Sequence, residues 1–267
     1  MKTHIGINGA CGRMGQRLVA LAREDSELAL VAAIDTAGHP QQGYDAGTVA
    51  GIGPIGVPIS SQLQLETRID AIIDFSLPEG TMTVLDTCIA RRIPLVVATT
   101  GHNAEQKRRI EEAAHDTAIL MSPNMSLGTN VAFRLVQEAG KLLRNKDFDV
   151  EIMERHHRFK KDSPSGTALH FARIVHEAMG QTSLRHGREG LVGERPKHEI
   201  GLHAIRAGDN VGDHTIVFST LGETLELSIR AHSRDAYARG ALAAAKFLAG
   251  RPPGRYSMSD VLGLEGK

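Results

Sequence analysis

Residues 154–168 read E-R-H-H-R-F-K-K-D-S-P-S-G-T-A and concentrate side chains that can transfer protons. His156, His157 and Lys160 directly follow a strand-like segment, so their side chains can converge on one pocket. Histidine titrates near neutral pH, and burial or neighbouring charges can lower the pKa of a lysine. We therefore regard these three side chains as candidate proton donors.

The second half of this stretch predicts the N-terminus of a helix. Ser163 followed by Pro164 is a typical N-cap and first-turn pair, so the helix is expected to start near Pro164. The amides of Ser165, Gly166 and Thr167 would then point at any anion in front of the helix, and Gly166 keeps that space open. Such a site suits a substrate that carries carboxylates and receives a proton. A solvated basic loop before a well-capped helix explains the same residues equally well.

A second motif, G-A-C-G-R-M-G, follows the first apolar run and begins at Gly9. Gly9, Gly12 and Gly15 lie at a strand-to-helix turn, where the absence of side chains lets backbone amides approach a pyrophosphate. Asp35 closes the second apolar run, and a carboxylate there can accept hydrogen bonds from ribose hydroxyls. This order of elements predicts a dinucleotide-binding fold, against the alternative of a glycine-rich turn followed by a solvated aspartate.

Asp35 also bears on which nicotinamide cofactor is used. Its carboxylate repels the ribose phosphate of NADP(H), and the adjacent Thr36 brings no positive charge to compensate. We therefore expect NADH to be preferred. NADPH stays possible, because Arg13 in the glycine loop carries a positive charge.

Two further segments follow predicted strands and carry small or hydroxyl side chains that could line a nicotinamide. The first runs from Ala98 to Gly101 and includes Thr99 and Thr100. The second consists of Ser122, Pro123, Asn124 and Met125. Each segment by itself is also typical of an ordinary loop that follows a strand.

The first half of the chain alternates apolar runs with amphipathic stretches, which is typical of βαβ units around a parallel sheet. The predicted strands are His4 to Asn8, Leu28 to Ile34, Ile69 to Phe75, Pro94 to Thr99 and Ala118 to Ser122. The predicted helices are Arg13 to Glu24, Glu79 to Arg91 and Asn103 to His115, the last opened by Asn103 as N-cap with Gln106 three residues on. Residues 36–60 are rich in glycine and proline and predict a long loop.

The second half predicts an α+β domain, because a run of strands follows the alternating half. A helix from Asn130 to Leu143 precedes the strand D-F-D-V-E-I-M-E, and a helix from about Pro164 to Met179 follows it. Two or three strands come next, in the segments H-E-I-G-L-H-A-I-R-A, H-T-I-V-F-S-T-L and T-L-E-L-S-I-R-A. The alanine-rich segment Ala236 to Ala249 predicts a final helix that could pack on the first domain.

Composition excludes several classes of partner. Lysine and arginine total 31, as do aspartate and glutamate, so no net charge favours nucleic acid or an anionic membrane surface. No apolar run approaches the roughly 18 residues of a spanning helix, and no apolar signal region precedes the first strand, so we expect a cytoplasmic protein. Cys11 and Cys88 are too few for a disulfide framework, and most of the 13 histidines are scattered singly, so no metal site is expected.

Residues 151–168 resemble the diagnostic motif of the dihydrodipicolinate reductase family. The motif reads Glu-apolar-x-Glu-x-His-His-x-x-Lys-x-Asp-x-Pro-Ser-Gly-Thr-Ala, and every fixed position is present. Further resemblance comes from G-A-C-G-R-M-G, D-F-S-x-P-E-G, A-T-T-G, P-N-M-S-L-G, R-A-G-D-x-V-G-x-H and D-V-L-G-L. The resemblance therefore extends over nearly the whole chain.

The resemblance implies NAD(P)H-dependent reduction of 4-hydroxy-tetrahydrodipicolinate, a dicarboxylate, to tetrahydrodipicolinate in diaminopimelate and lysine biosynthesis. It implies an α/β fold whose Rossmann-like, doubly wound parallel-sheet domain binds the dinucleotide and spans residues 1–126 and 236–267. Residues 127–235 would form an α+β domain with a mixed sheet that binds substrate and builds a homotetramer. The rival interpretations are another two-domain amino-dicarboxylate dehydrogenase and a non-catalytic dinucleotide-binding sensor.

The same resemblance implies roles for individual residues. The pyrophosphate would be held by Gly9, Ala10, Cys11, Gly12, Arg13 and Met14, and the adenosine ribose by Asp35. The nicotinamide side would be lined by Ala98, Thr99, Thr100, Ser122, Pro123, Asn124 and Met125. The substrate would be met by His156 and Lys160 as acid/base and proton donor, by His157 as a contact, and by Gly166 and Thr167 as a carboxylate cradle.

Two positions depart from the family pattern. Thr36 stands where some members carry an arginine for the NADP phosphate, which strengthens the expectation of NADH. Met125 stands where phenylalanine is common beside the nicotinamide.

Hydride addition to the substrate leaves an enamine, which either Lys160 or His156 can protonate. We take Lys160 as the first candidate for the proton donor and His156 as the second.

Overall fold

A computed structural model of the chain describes residues 2–64 and 66–264. The chain divides into two compact units, one formed by residues 1–127 with 234–267 and the other by residues 128–233. We call them unit 1 and unit 2. No helix in the described ranges is long and apolar enough to cross a membrane.

Unit 1 is built on a seven-stranded sheet in which every neighbouring pair is parallel. Its strands are β1 (Thr3–Asn8), β2 (Leu28–Ile34), β3 (Ile59–Ser60), β4 (Ala71–Asp74), β5 (Leu95–Val97), β6 (Ala118–Met121) and β12 (Gly254–Tyr256). The spatial order is β12-β6-β5-β4-β1-β2-β3, so the chain reverses its direction of travel across the sheet between β3 and β4. The carboxyl ends of β1 and β4 therefore border the crevice in which such sheets bind ligands.

Four helices of unit 1 agree closely with the predicted ones. They are α1 (Arg13–Glu24), α3 (Pro78–Arg91), α4 (Ala104–Glu112) with a 3-10 turn at Ala113–His115, and α7 (Asp235–Leu248). Unit 1 also contains the short helices α2 (Ala46–Val49) and α8 (Met258–Val261). The capping box at the start of α4 is confirmed, because Asn103 Oδ1 accepts the Gln106 amide and the Gln106 side chain accepts the Asn103 amide.

Both faces of the unit 1 sheet are covered, which explains why β2, β4, β5 and β6 are almost continuously apolar. All four residues of β4 are buried. Alternate residues point to opposite faces, so Ile73 joins the core beside α1 and α7, whereas Ile72 joins the core beside α3 and α4.

Unit 2 contains a mixed five-stranded sheet that is covered by helices on one face. Its strands are β7 (Asp149–His156), β8 (Ser183–His186), β9 (Glu199–Arg206), β10 (Gly212–Thr220) and β11 (Glu223–Ala231), and its helices are α5 (Leu127–Leu143) and α6 (Gly166–Met179). The strand order is β11-β10-β7-β9-β8, with β7 parallel to β9 and antiparallel to β10. The inner face packs Ile152, Ile216 and Leu202 against Phe133 and Phe171 of the helices.

The structure corrects several predicted boundaries. Helix α6 begins at Gly166 rather than near Pro164, because Ser165 is its N-cap and its hydroxyl accepts the Ala168 amide. Residues 36–60 are not only a loop, since α2 and β3 lie within them. Strands β8 and β12 and helix α8 were not predicted from the sequence.

Candidate active site

The glycine loop of unit 1 leads from β1 into α1 and is tightly packed against its surroundings. Gly9 has a positive φ of 80°, and a Cβ atom there would lie 2.5 Å from the Phe75 carbonyl oxygen. A Cβ atom on Gly15 would lie 2.1 Å from the Gly9 carbonyl oxygen. Gly12 is the N-cap of α1 and makes no side-chain capping hydrogen bond. The loop thus presents bare backbone at a helix N-terminus, which fits the pyrophosphate of a dinucleotide.

Asp35 lies just past the end of β2 and is hydrogen-bonded to this loop. One carboxylate oxygen accepts the Cys11 amide at 2.8 Å, and the other accepts the Thr36 amide at 2.9 Å. Burial raises the pKa of the Cys11 thiol to about 12, and the nearby Asp35 carboxylate adds to this effect. Cys11 is therefore a small buried side chain in the loop and not a nucleophile.

Cys11, Asp35 and His39 bring their potential ligand atoms within 4.8 Å of one another. A thiol, a carboxylate and an imidazole at this spacing could hold a metal ion. The His39 Nδ1 atom already accepts the Gln41 amide at 3.2 Å, and Asp35 accepts two backbone amides. The expectation that the protein has no metal site stays a prediction.

The two segments expected at the nicotinamide lie at the same edge of the unit 1 sheet, past the carboxyl ends of β5 and β6. Thr99 Oγ1 accepts the Ser76 amide at 2.9 Å, and Ser122 Oγ donates to the Asn124 carbonyl at 2.8 Å. Thr100 and Pro123 are exposed, whereas Ala98 is buried. Met125 is 2 % exposed and lies in the hydrophobic core, so its side chain is not directed to open space.

Asp74 organises this edge and was not predicted as a site residue. Its carboxylate is fully buried and accepts hydrogen bonds from Asn8 Nδ2 at 2.8 Å, Ser76 Oγ at 2.5 Å and Thr81 Oγ1 at 2.6 Å. These bonds tie the end of β1 to the turn between β4 and α3. The buried carboxylate thereby fixes the backbone against which Gly9 packs.

The predicted proton donors of unit 2 lie at the carboxyl end of β7. Glu154 and His156 share the inner face of the sheet because alternate residues of a strand point to the same side. The connection between β9 and β10 crosses this end of β7, where the Ala207 amide donates to the His156 carbonyl at 3.0 Å. The crossing brings Arg206 opposite His156 and His214 opposite Glu154.

Glu154 accepts hydrogen bonds from three sides. Arg206 donates to both carboxylate oxygens at 2.8 and 2.9 Å, the Ser165 amide donates at 3.1 Å, and His156 Nδ1 lies 2.5 Å away. Although burial acts to raise it, the hydrogen bonds from Arg206 and His156 hold the pKa of Glu154 below its usual value. The carboxylate is therefore ionised while it is only 1 % exposed.

His156 and His214 are both buried, with their rings 5.4 Å apart in an edge-to-face arrangement. Burial lowers the pKa of His214 to about 4, and the neighbouring His156 contributes to this shift. Burial also lowers the pKa of His156, although Glu154 acts in the opposite direction. Both imidazoles are consequently neutral near pH 7.

His157 and Lys160 follow on the loop after β7. His157 Nδ1 is buried and has no hydrogen-bond partner among the described atoms. Lys160 Nζ forms an ion pair with Asp162 at 2.9 Å, and the Lys160 amide donates to the His157 carbonyl at 3.1 Å. The Lys160 ammonium beside Asp162 holds the pKa of that carboxyl below its usual value.

The N-terminus of α6 faces this cluster, since its cap residue Ser165 bonds to Glu154 and to His214. The Ser165 amide donates to Glu154, and His214 Nε2 lies 3.2 Å from Ser165 Oγ. The expectation that the Ser165 amide serves an external anion is therefore wrong, because Glu154 already accepts from it. A Cβ atom on Gly166 would meet nothing within 4 Å, so the space in front of Gly166 is open as expected.

Four residues of this cluster were not predicted as site residues, namely Glu154, Ser165, Arg206 and His214. Glu154 could have been found, because it lies two positions before His156 on a predicted strand and so shares its face. Arg206 and His214 begin and end the R-A-G-D-x-V-G-x-H motif, but nothing local in that motif indicates that it crosses the end of β7.

Known proteins resemble this chain over nearly its whole length. The family described as "Dihydrodipicolinate reductase, N-terminus" matches residues 3–125, and that described as "Dihydrodipicolinate reductase, C-terminus" matches residues 128–262. The chain belongs to the dihydrodipicolinate reductase family.

Relatives called 4-hydroxy-tetrahydrodipicolinate reductase support the same assignment. The protein from Rhodopirellula baltica is 49 % identical, with 97 % of this chain and 95 % of the relative covered. That from Syntrophotalea carbinolica is 44 % identical, with 98 % and 99 % covered. A solved dipicolinate-bound dihydrodipicolinate reductase from Paenisporosarcina sp. TG-14 shares the fold, with a TM-score of 0.75 at 23 % identity over 96 % of this chain and 98 % of that one.

Family membership makes the chain an oxidoreductase that acts on 4-hydroxy-tetrahydrodipicolinate in diaminopimelate and lysine biosynthesis, with a pyridine nucleotide as its cofactor. The predicted family, reaction and fold class are confirmed. The roles of single residues, the choice between NADH and NADPH and the oligomeric state stay predictions.

Proposed function

We propose that unit 1 binds the reduced dinucleotide and that the cluster at the carboxyl end of β7 protonates and holds the dicarboxylate substrate. The observation that carries the proposal is that Glu154 joins His156 to Ser165, the cap residue of α6. The charge of Lys160 acts on His156, and the space in front of Gly166 is open. A substrate with two carboxylates and an electron-rich carbon needs this combination of anion-binding and proton-donating groups.

The glycine loop and Asp35 would hold the dinucleotide. The backbone from Gly9 to Met14 would bind the pyrophosphate, and the segments around Thr99 and Asn124 would line the nicotinamide. When bound, the reduced nicotinamide supplies the hydride. The burial of Met125 in the core supports a role for the backbone of this segment and not for the thioether side chain.

Lys160 is our first choice as the proton donor. Its ammonium group is paired with Asp162 at 2.9 Å, and its charge acts on His156, so the two candidate donors share one site. An ammonium group can donate a proton to a carbon on which the substrate develops negative charge. Lys160 would then deliver this proton to the enamine carbon, and His156 is the second candidate.

The substrate carboxylates would be bound by the first turn of α6 and by His157. Gly166 leaves the helix N-terminus accessible, and the buried Nδ1 atom of His157 lacks a protein partner in the described part of the chain. The solved dipicolinate-bound relative supports a dicarboxylate as ligand of this family.

NADH is the preferred cofactor in this proposal, with NADPH possible. The Asp35 carboxylate would face the adenosine ribose, and Thr36 beside it is exposed and uncharged. A ribose phosphate would meet one negative charge there without a compensating positive one. Arg13, which is exposed at the start of α1, is the residue that could accommodate NADPH.

We further propose a cytoplasmic homotetramer. The outer face of the unit 2 sheet exposes the apolar side chains of Met153 and Ile205, which supports an interface there. Cys11 and Cys88 are both free and buried, which supports a reducing compartment.

The reductase function is tested by following NADH absorbance while the purified protein meets substrate made freshly by the preceding synthase. A loss of absorbance that depends on both protein and substrate is expected, and it should be faster with NADH than with NADPH. An unchanged absorbance with both NADH and NADPH would contradict the proposed function.

A further inference from the structure

Glu154 is a buried carboxylate for which the proposed mechanism has no role. It is 1 % exposed, and a charge buried this completely is costly unless it is well paired. Its partners come from three elements, since Arg206 belongs to β9, Ser165 caps α6, and His156 follows on the same strand. The carboxylate thus lies where these elements meet beside the candidate proton donors.

The partners of Glu154 determine which nitrogen of His156 carries the proton. An arginine and a backbone amide only donate, so they hold the carboxylate in its ionised, accepting form. An ionised carboxylate cannot donate, and therefore His156 Nδ1, 2.5 Å away, must carry a proton. In the neutral imidazole Nε2 then has a free lone pair.

We propose that Glu154 is a positioning residue that keeps the proton of His156 on Nδ1 and leaves the Nε2 lone pair for the substrate. This inference rests on the proposed function, in which His156 meets the substrate. Neutral His156 then has no proton on Nε2 to deliver, so protonation of the enamine falls to Lys160. His156 instead accepts a hydrogen bond and orients the substrate.

The charged and titratable groups that face His156 support this assignment. Arg206 comes from β9 and Lys160 from the loop after β7, and both oppose a second proton on the ring. His214 comes from β10 and lies edge-to-face with His156 as a neutral ring. Glu154 is the group among these that favours the proton. Replacing its charge should therefore shift the titration of His156 to lower pH and release the restraint on Nδ1.

Glu151 provides a matched control on the same strand. It lies on the outer face of the sheet and, like Glu154, is bonded to arginine and histidine side chains, in this case Arg188, Arg195 and His203. Glu151→Gln therefore removes a comparable ion-pair network without touching His156. A loss of activity that follows only from weakened ion pairs would appear in both Glu154→Gln and Glu151→Gln.

The test is nitrogen NMR of the full-length protein labelled at histidine, recorded across a pH titration. Wild type is expected to show the His156 proton on Nδ1 and a bare Nε2 at neutral pH. In Glu154→Gln the titration of His156 should move to lower pH, whereas Glu151→Gln should leave it unchanged. A wild-type spectrum with the proton on Nε2 would overturn the proposal, and it decides the matter even if Glu154→Gln does not fold.

Kinetics provide the second measurement. Loss of a carboxylate that fixes the tautomer and orientation of a metal-binding histidine costs roughly 10-fold to 100-fold in activity. By analogy, kcat of Glu154→Gln should fall by at least about 10-fold. The NADH dissociation constant and the kcat of Glu151→Gln should stay near wild type. Equal kcat losses in the two variants would contradict positioning by Glu154. An inactive wild type with the expected tautomer would instead contradict the proposed function.

Discussion

Lowering the pH from 7 to 5 is expected to destabilise unit 2 through His214, which is buried as a neutral imidazole. The pKa of His214 is lowered from 6.5 to about 4, first by burial and then by the nearby His156. Below pH 6.5 the unfolded chain therefore binds a proton at this side chain that the folded chain does not bind until about pH 4. The contribution of neutral His214 to the free energy of unfolding is fully present above pH 6.5 and is lost as the pH falls from 6.5 to about 4.

The size of the effect follows from the same two pKa values. A pH of 5 is about 1.5 units below the pKa of His214 in the unfolded chain, so the imidazole is protonated there, whereas in the folded chain it is still neutral. One pKa unit corresponds to about 1.4 kcal/mol, so folding loses about 2 kcal/mol relative to neutral pH. This is a large fraction of the stability of an ordinary domain.

His214→Gln isolates this contribution, because a glutamine amide can take the place of Nε2 beside Ser165 Oγ without titrating. The chain contains no tryptophan whose fluorescence could report unfolding, and it has two units that can unfold separately. Native-state hydrogen exchange on β10 is therefore the suitable assay for unit 2 alone. Between pH 7 and pH 5, the opening free energy of β10 should fall by about 2 kcal/mol more in wild type than in His214→Gln. Equal falls in the two proteins would refute the reasoning.

Three further predictions concern the chemistry and the cofactor. Lys160→Ala should lower kcat by ~10²–10⁴-fold without changing the NADH dissociation constant, whereas Lys161→Ala, which removes a neighbouring exposed lysine, should keep near-normal turnover. Thr36→Arg should raise kcat/KM for NADPH relative to NADH by roughly 10-fold to 100-fold, and an unchanged ratio would remove this position from cofactor choice. Gly15→Ala should weaken NADH binding in calorimetry, because its Cβ would lie 2.1 Å from a carbonyl oxygen of the loop, whereas Gly38→Ala meets nothing within 4 Å and should bind normally.

Five strands of unit 1, namely β1, β2, β4, β5 and β6, were predictable because burial on both faces leaves a strong apolar signal in each of them. Strand β4 is apolar from Ala71 to Ile73, and its four residues are buried. Strands β8 and β12 lack this signal, since most of their residues are exposed or half-buried and polar. Their extended conformation follows from pairing with β9 and β6, which only the folded sheet provides.

The start of α6 shows how tertiary contacts choose between local signals. Ser163 with Pro164 and Ser165 with Gly166 are both acceptable starts for a helix by local rules. Ser165 is the cap in the structure, and its amide and hydroxyl also contact Glu154 and His214. These partners come from other elements, so nothing near Pro164 in the sequence could indicate them.

The sequence by itself determined which side chains of this protein can do chemistry, because His156, His157 and Lys160 have that ability wherever they lie, and their motif is specific to one family. Only the tertiary structure decided the state of these groups. Arg206 lies 52 residues from Glu154, yet the crossing between β9 and β10 brings it to both oxygens of that carboxylate. Proton positions and pKa values depend on burial and on the charges within a few ångströms, and the order of strands in the sheet sets both.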